Sequence, residues 1–188
     1  QIKDTFIEEF YKNSFKDDFP IISNIDLLKD INKNTLYEAI NKRRSIRAFK
    51  NEAINEDDFL FITKNIFEFA SKYDLEIYFI NNNISNMKKG IYKNVKLQKE
   101  GDFKETAIKL ALNQKLAGQS AFTLFFTSSN IKNYFYLYIL SGFISQILYL
   151  RTTSINLSSS GIGAYFDDIT KEFFETSNNI FYVFAIGK

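Results

Sequence analysis

The sequence contains neither cysteine nor histidine. Without cysteine there are no disulfides, thiolate nucleophiles or thiolate metal ligands. Without histidine the commonest general base and metal ligand is missing, which excludes Ser-His-Asp and Cys-His catalysis together. No metal site is expected. An enzyme built from this chain would draw its hard chemistry most economically from a bound organic cofactor. An excess of either charge is also missing: the net charge is +2, so nothing global favours nucleic acid or a membrane surface, and any basic site must be local.

Long hydrophobic runs are nearly absent too. The exception is "YFYLYILSGFISQILYL" (134–150), which is uncharged but carries Ser141, Gly142, Ser145 and Gln146. It is at the short limit for a spanning helix of ~20 residues. A buried central or interface helix is the expectation, with no membrane span. Tryptophan is missing and proline occurs once, yet aromatic residues make up 17% of the chain through Phe and Tyr alone. With 45% hydrophobic residues in 188, the chain is long enough for one packed domain, with or without an extended arm. The only methionine is Met87, so residues ahead of Gln1 are expected. The opening "QIKDTFIEEFYKNSF" is too charged for a secretory signal, and a cytoplasmic location is the expectation.

Residues 1–34 read as an arm holding the one proline, in "DDFPIIS". Thr35 and Glu38 have capping-box spacing and predict a helix through the basic end of "LYEAINKR". "NEDDFLFITKNIFEFASKY" (55–73) has an Asn55 cap, an acidic first turn and apolar residues at helical spacing, which predicts one helix. "LEIYFI" (75–80) predicts a strand. Residues 88–103 read as a loop or small lid, and 104–116 as a helix. "AFTLFFT" (121–127) is a continuous apolar strand, expected to be buried on both faces. A long helix over 133–153, a loop over 158–168, a short helix over 168–175 and a last strand, "IFYVFAI" (180–186), complete a mixed α/β or α+β domain. No strand is followed by GxGxxG, so a dinucleotide Rossmann fold has no support.

Two stretches carry chemistry. In "NKRRSIRAFKNE" (41–52), Arg43, Arg44 and Arg47 offer rigid forks of donors suited to phosphate, and Ser45 adds a hydroxyl. In extended backbone, Arg43, Ser45 and Arg47 share one face. Local chemistry leaves a solvated basic surface and an anion site both open. In "SSSGIGAYFDD" (158–168), Gly161 and Gly163 let backbone approach a flat ligand. The same glycines suit an ordinary loop before a helix capped by Asp167 or Asp168.

Taken together, the "RRSxRxF" stretch, the long apolar helix, "GIGAYFDD" and a terminal strand ending in Gly-Lys resemble the FMN-dependent nitroreductase superfamily over residues 35–188. "GIGAYFDD", with "KKGIYKN", "EGDF" and "ALNQKLAGQSAFTLFF", is most similar to the SagB-type (thiazole/oxazole-forming) dehydrogenase branch. The resemblance implies an α+β fold, a small mixed sheet surrounded by helices. It also implies a homodimer built on the long central helix, with FMN at the interface. It assigns Arg43, Arg44, Ser45 and Arg47 to the FMN phosphate and ribityl chain, and Lys188 to completing the phosphate site. The stretch Gly161, Ile162, Gly163 and Ala164 would lie along the isoalloxazine, with Gly163 and Ala164 nearest N5. Gln114 would reach the pyrimidine edge. The substrate would be a small molecule or a peptide whose azolines are oxidised. The alternatives are an NAD(P)H-dependent nitro or quinone reductase, and a catalytically degenerate scaffold subunit of a modification complex. Some members of the branch carry a Lys-Tyr pair before the long helix. Here Lys132 and Tyr134 are separated by Asn133, so the pair is not reproduced. Tyr134, Tyr136 and Tyr165 are candidate proton donors, with packing as the first reading of each.

Overall fold

The computed structural model describes residues 25–130 and 133–188. The expected arm therefore lies outside the described residues up to position 24, as does Lys132.

After a single 3-10 turn, Ile25–Leu28, helix α1 runs Lys33–Lys42. Its N-cap is Asn32, whose side chain accepts the Thr35 amide at 3.0 Å. The expected Thr35 cap is corrected: the threonine lies one turn inside, and Glu38 pairs instead with Lys42 at 2.8 Å. The predicted helix 55–73 is two helices, α2 (Glu56–Thr63) and α3 (Ile66–Ser71), separated by Asn65 at φ 61°. The break has a cause in α6 (Tyr134–Ser154), where the buried Arg151 draws the carbonyls of Phe61, Ile62 and Lys64 out of the helical ladder.

Strand β1 is Glu76–Asn81. Residues expected to be a loop instead form a hairpin, β2 (Gly90–Lys93) and β3 (Lys96–Glu100), turned at Asn94 with φ 52°. Helix α4 (Lys104–Leu110) stops early because Leu112 and Asn113 are both left-handed, and α5 (Leu116–Gln119) follows. Then come β4 (Phe122–Ser128), α6, β5 (Ser158–Ile162), α7 (Asp167–Phe173) and β6 (Asn179–Gly187). The expected loop thus begins as an edge strand. The cap of α7 is Phe166, with Asp167 and Asp168 in its first turn.

The sheet order is β3-β2-β1-β4-β6-β5. The fold class is α+β as expected. Its ladders are antiparallel, and parallel pairing among the described residues is limited to the isolated bridges Ser45–Ser159 and Ile54–Ile84. Strand β4 is buried along its whole length, as its apolar run predicts. Alternation sends Phe122, Leu124 and Phe126 to one layer with α2, α3 and α6, and Phe125 to the other with α4, α5 and α7. In α6 the buried serines bond back to their own helix, Ser141 to the Leu137 carbonyl and Ser145 to the Ser141 carbonyl, both at 2.7 Å. No described helix is long and apolar enough to cross a membrane.

Candidate functional site

The basic segment leaves α1 at Arg43, whose amide still bonds to the Ala39 carbonyl. It then becomes extended and joins the sheet edge. Ser45 bridges Ser159 in parallel, and the Ile46 amide donates to the Ser159 carbonyl at 3.1 Å. Phe49, buried at 6% exposure, anchors the far end of the segment in the same core cluster as Ile162. The Lys50 amide donates to the Lys188 carbonyl at 2.8 Å, which lays the end of β6 along the segment. The two stretches singled out by their chemistry are therefore neighbours, stitched by backbone hydrogen bonds.

The three arginines are not equivalent. The Arg43 guanidinium sits 5.0 Å from the centre of the Tyr149 ring. Arg44 folds back, and its Nη1 donates to the carbonyls of Asn41 and Arg43 at 3.1 and 2.7 Å. It thus serves the C-terminal end of α1, where a cation is favoured. Arg47 is exposed and makes no ion pair or side-chain hydrogen bond among the described residues. Lys188 is exposed and lies 3.9 Å from Glu52, a loose pair. Arg47 and Lys188 are thus held only weakly by the protein and are available to an anion.

On the glycine side, Gly161 donates its amide to the Tyr149 hydroxyl at 2.8 Å. A Cβ at Gly161 would overlap the Tyr182 hydroxyl, so glycine is required there by packing. Ile162 points into the core at 1% exposure and can meet a ligand only through its backbone. Gly163 and Ala164 are exposed, and a Cβ at Gly163 would meet nothing within 4 Å. Gln114 donates from Nε2 to the Ala164 carbonyl at 3.2 Å, which brings the expected pyrimidine-edge residue to the expected loop. Beside Gln114, Asn113 lines a cleft of about 460 Å³ shared with Asn51, Lys104, Lys115 and Gln119.

Of the candidate proton donors, Tyr165 gives its hydroxyl proton to the Ile180 carbonyl at 3.1 Å, and burial raises its pKa far above the ordinary value. Burial likewise pushes Tyr134 and Tyr136 up to about 12. These are neutral phenols that give up a proton reluctantly.

Sequence reasoning missed Tyr149. It is buried in α6, and its hydroxyl lies 2.8 Å from Ser45 Oγ as well as from the Gly161 amide. Three residues on, Thr152 Oγ1 lies 3.0 Å from Ser159 Oγ. Two hydroxyls one turn apart at the end of an apolar helix were the available signal.

A family model for the nitroreductase family matches residues 40–188, taking in the arginine segment, Tyr149, the glycine strand and Lys188. Among solved structures, a putative nitroreductase from Anabaena variabilis superposes with a TM-score of 0.73 at 23% identity, over 81% of this chain and 38% of that one. The Escherichia coli microcin synthetase McbBCD complex, solved with truncated pro-MccB17 bound, superposes with a TM-score of 0.65 at 12% identity, over 98% of this chain and 92% of that chain. A putative NADH dehydrogenase/NAD(P)H nitroreductase from Bacteroides thetaiotaomicron gives a TM-score of 0.59 at 12% identity, over 83% and 87% of the two chains. Identities this low speak for the fold alone. No curated protein matches the sequence. With the family model spanning both halves of the stitched surface, this chain belongs to the nitroreductase family.

Proposed function

We propose that this nitroreductase-family oxidoreductase is FMN-dependent and works as a SagB-type dehydrogenase on a peptide or a small molecule. The observation that carries the reading is the Ser45–Ser159 bridge, which sets an arginine-rich segment against a glycine strand. A phosphate needs fixed donors and uncommitted positive charge, and Arg43, Ser45, Arg47 and Lys188 offer them. A flat ring needs backbone with nothing standing above it, and Gly163 provides open space. The residues present therefore fit FMN. Arg43, Ser45, Arg47 and Lys188 would hold its phosphate, backbone from Gly161 to Ala164 would face its ring, and Gln114 would reach the ring's polar edge. Arg44 would act one step back, by fixing the end of α1.

Bound FMN supplies two-electron chemistry, so the protein needs no nucleophile and no histidine. What remains for the chain is to bind, orient and exclude water. The exposed face of α6, with Phe135, Tyr138 and Ile139 at 40%, 42% and 46% exposure, favours a homodimer built on this helix.

A peptide substrate is favoured by the likeness over nearly all of both chains to a microcin synthetase complex with truncated pro-MccB17 bound. The reductase reading draws on the named NAD(P)H nitroreductase among the structural relatives. The two separate in one assay set. FMN-loaded chain is mixed with an azoline-containing peptide under air, and separately with NADH or NADPH and a nitroaromatic. A mass loss of two hydrogens from the peptide supports the dehydrogenase. Rapid NAD(P)H oxidation with an unchanged peptide assigns the chain to the reductases.

A further inference from the structure

Tyr149 lies between the two halves of the site and touches both. Its ring packs against Phe184 in a T-shaped contact, with centroids 4.8 Å apart at 87°, and the Arg43 guanidinium lies 5.0 Å from its centre. Its hydroxyl lies 2.8 Å from the Gly161 amide and 2.8 Å from Ser45 Oγ. Strand β5 is the sheet edge, and among the described residues its outer side is bridged by the basic segment at Ser159. Two residues further along that side, the Gly161 amide finds Tyr149 in place of a strand.

The Gly161 hydrogen bond has one possible direction, whereas either hydroxyl can be the donor between Tyr149 and Ser45. An amide N–H can only donate, so the Tyr149 oxygen accepts from Gly161. With the phenol still holding its own proton, one of the two arrangements has Tyr149 donating to Ser45 Oγ, and that is the arrangement the proposal uses. A serine hydroxyl that accepts from tyrosine keeps its own proton free for a further acceptor. Chains of this kind polarise each member in the same sense.

We propose that Tyr149 is a positioning residue. It holds Ser45 as a hydrogen-bond donor to the phosphate of the bound cofactor, and it ties that donor to the backbone of the flavin-facing strand. The inference rests on the FMN reading. It assigns to one side chain the placement of a serine hydroxyl, an arginine and a strand amide. Its consequence is selectivity: the chain prefers FMN to riboflavin in part through a residue that need not touch either.

The test is Tyr149→Phe in the full chain, which keeps the ring beneath Arg43 and removes only the hydroxyl. Dissociation constants for FMN and for riboflavin are measured by flavin fluorescence. FMN affinity is expected to fall by roughly tenfold, the scale of one hydrogen bond to a charged group, with riboflavin affinity changing much less. Ser45→Ala should lose the same preference, and the double variant should lose little more than either single one. Equal weakening of FMN and riboflavin, or full additivity, would overturn the proposal and leave Tyr149 a packing residue. A second readout needs no change at Tyr149. Inorganic phosphate titrated into the wild-type chain should move the Gly161 amide resonance, and Ser45→Ala should abolish that movement. An unmoved amide overturns the proposal. A wild-type chain that binds neither flavin overturns the FMN reading and this inference together. One that binds FMN with an unchanged Tyr149→Phe ratio overturns this inference alone.

Discussion

Ser45 and Ser159 face each other across a parallel bridge, the contact that turns two distant stretches of sequence into one surface. Arg43 lies beside the Tyr149 ring next to this bridge, while Arg44 is turned back onto α1.

Unequal arginines make unequal variants. Arg43→Ala with Arg47→Ala is expected to weaken FMN binding by about a hundredfold or more, since each charge-assisted hydrogen bond contributes about 1.5–3 kcal/mol. Arg44→Ala should leave FMN affinity close to wild type and cost only about 0.5–1 kcal/mol of stability through the helix end. Flavin content after gel filtration and urea midpoints read both effects. Loss of FMN from Arg44→Ala alone would reverse the assignment.

The two glycines should also part company. At Gly161 an added methyl overlaps the Tyr182 hydroxyl, so Gly161→Ala is expected to destabilise by about 1–3 kcal/mol. At Gly163 the space is open, so Gly163→Ala should stay within about 0.5 kcal/mol of wild type while reducing flavin affinity. Thermal melts of the flavin-free chain, paired with FMN titrations, separate packing from binding.

Arg151 is 1% exposed and donates to the carbonyls of Leu27, Phe61, Ile62 and Lys64. Burial lowers its pKa, yet it stands at the junction of the 25–28 turn with the end of α2. Arg151→Leu leaves those carbonyls buried without a donor. A loss of about 3–5 kcal/mol is expected in urea unfolding, as for other broken buried charge networks. A loss under about 1 kcal/mol would mean that water replaces the guanidinium.

High pH should unfold the chain through its tyrosines. Burial holds Tyr134 and Tyr136 up at about 12 and raises Tyr165 and Tyr182, against an ordinary value of 10.0. The unfolded chain therefore sheds these protons first as pH rises. The stability they contribute is whole below pH 10.0 and is lost as pH climbs through the raised folded values. Urea midpoints should fall steadily above that point, with tyrosinate absorbance appearing late and cooperatively. Early ionisation of all tyrosines at unchanged stability would contradict their burial.

Much of this could be read from sequence. The fully apolar "AFTLFFT" gave the central strand, because burial on both faces leaves no alternation to misread. The arginine segment and the glycine stretch both stood out in the sequence, and the bridge sets them side by side. The failures have local causes. The helical spacing of 55–73 continues straight through Asn65, and only Arg151, far along the chain, reveals why the helix breaks there. The hairpin at 90–100 is a polar edge, with β3 mostly exposed, so it lacks the apolar signal of a strand. Thr35 lost its expected capping role to Asn32, an equally good cap three residues earlier. Tyr149 was hidden because, in an apolar helix, an aromatic residue reads as packing until its hydroxyl is seen between Ser45 and Gly161.

The most direct measurement is a titration of the purified, flavin-free full-length chain with FMN, followed by flavin fluorescence together with light scattering. Saturable binding, tighter for FMN than for riboflavin, on a particle of twice the chain mass is the expected result. A monomer that takes up neither flavin after reconstitution would contradict the cofactor site and the dimer together.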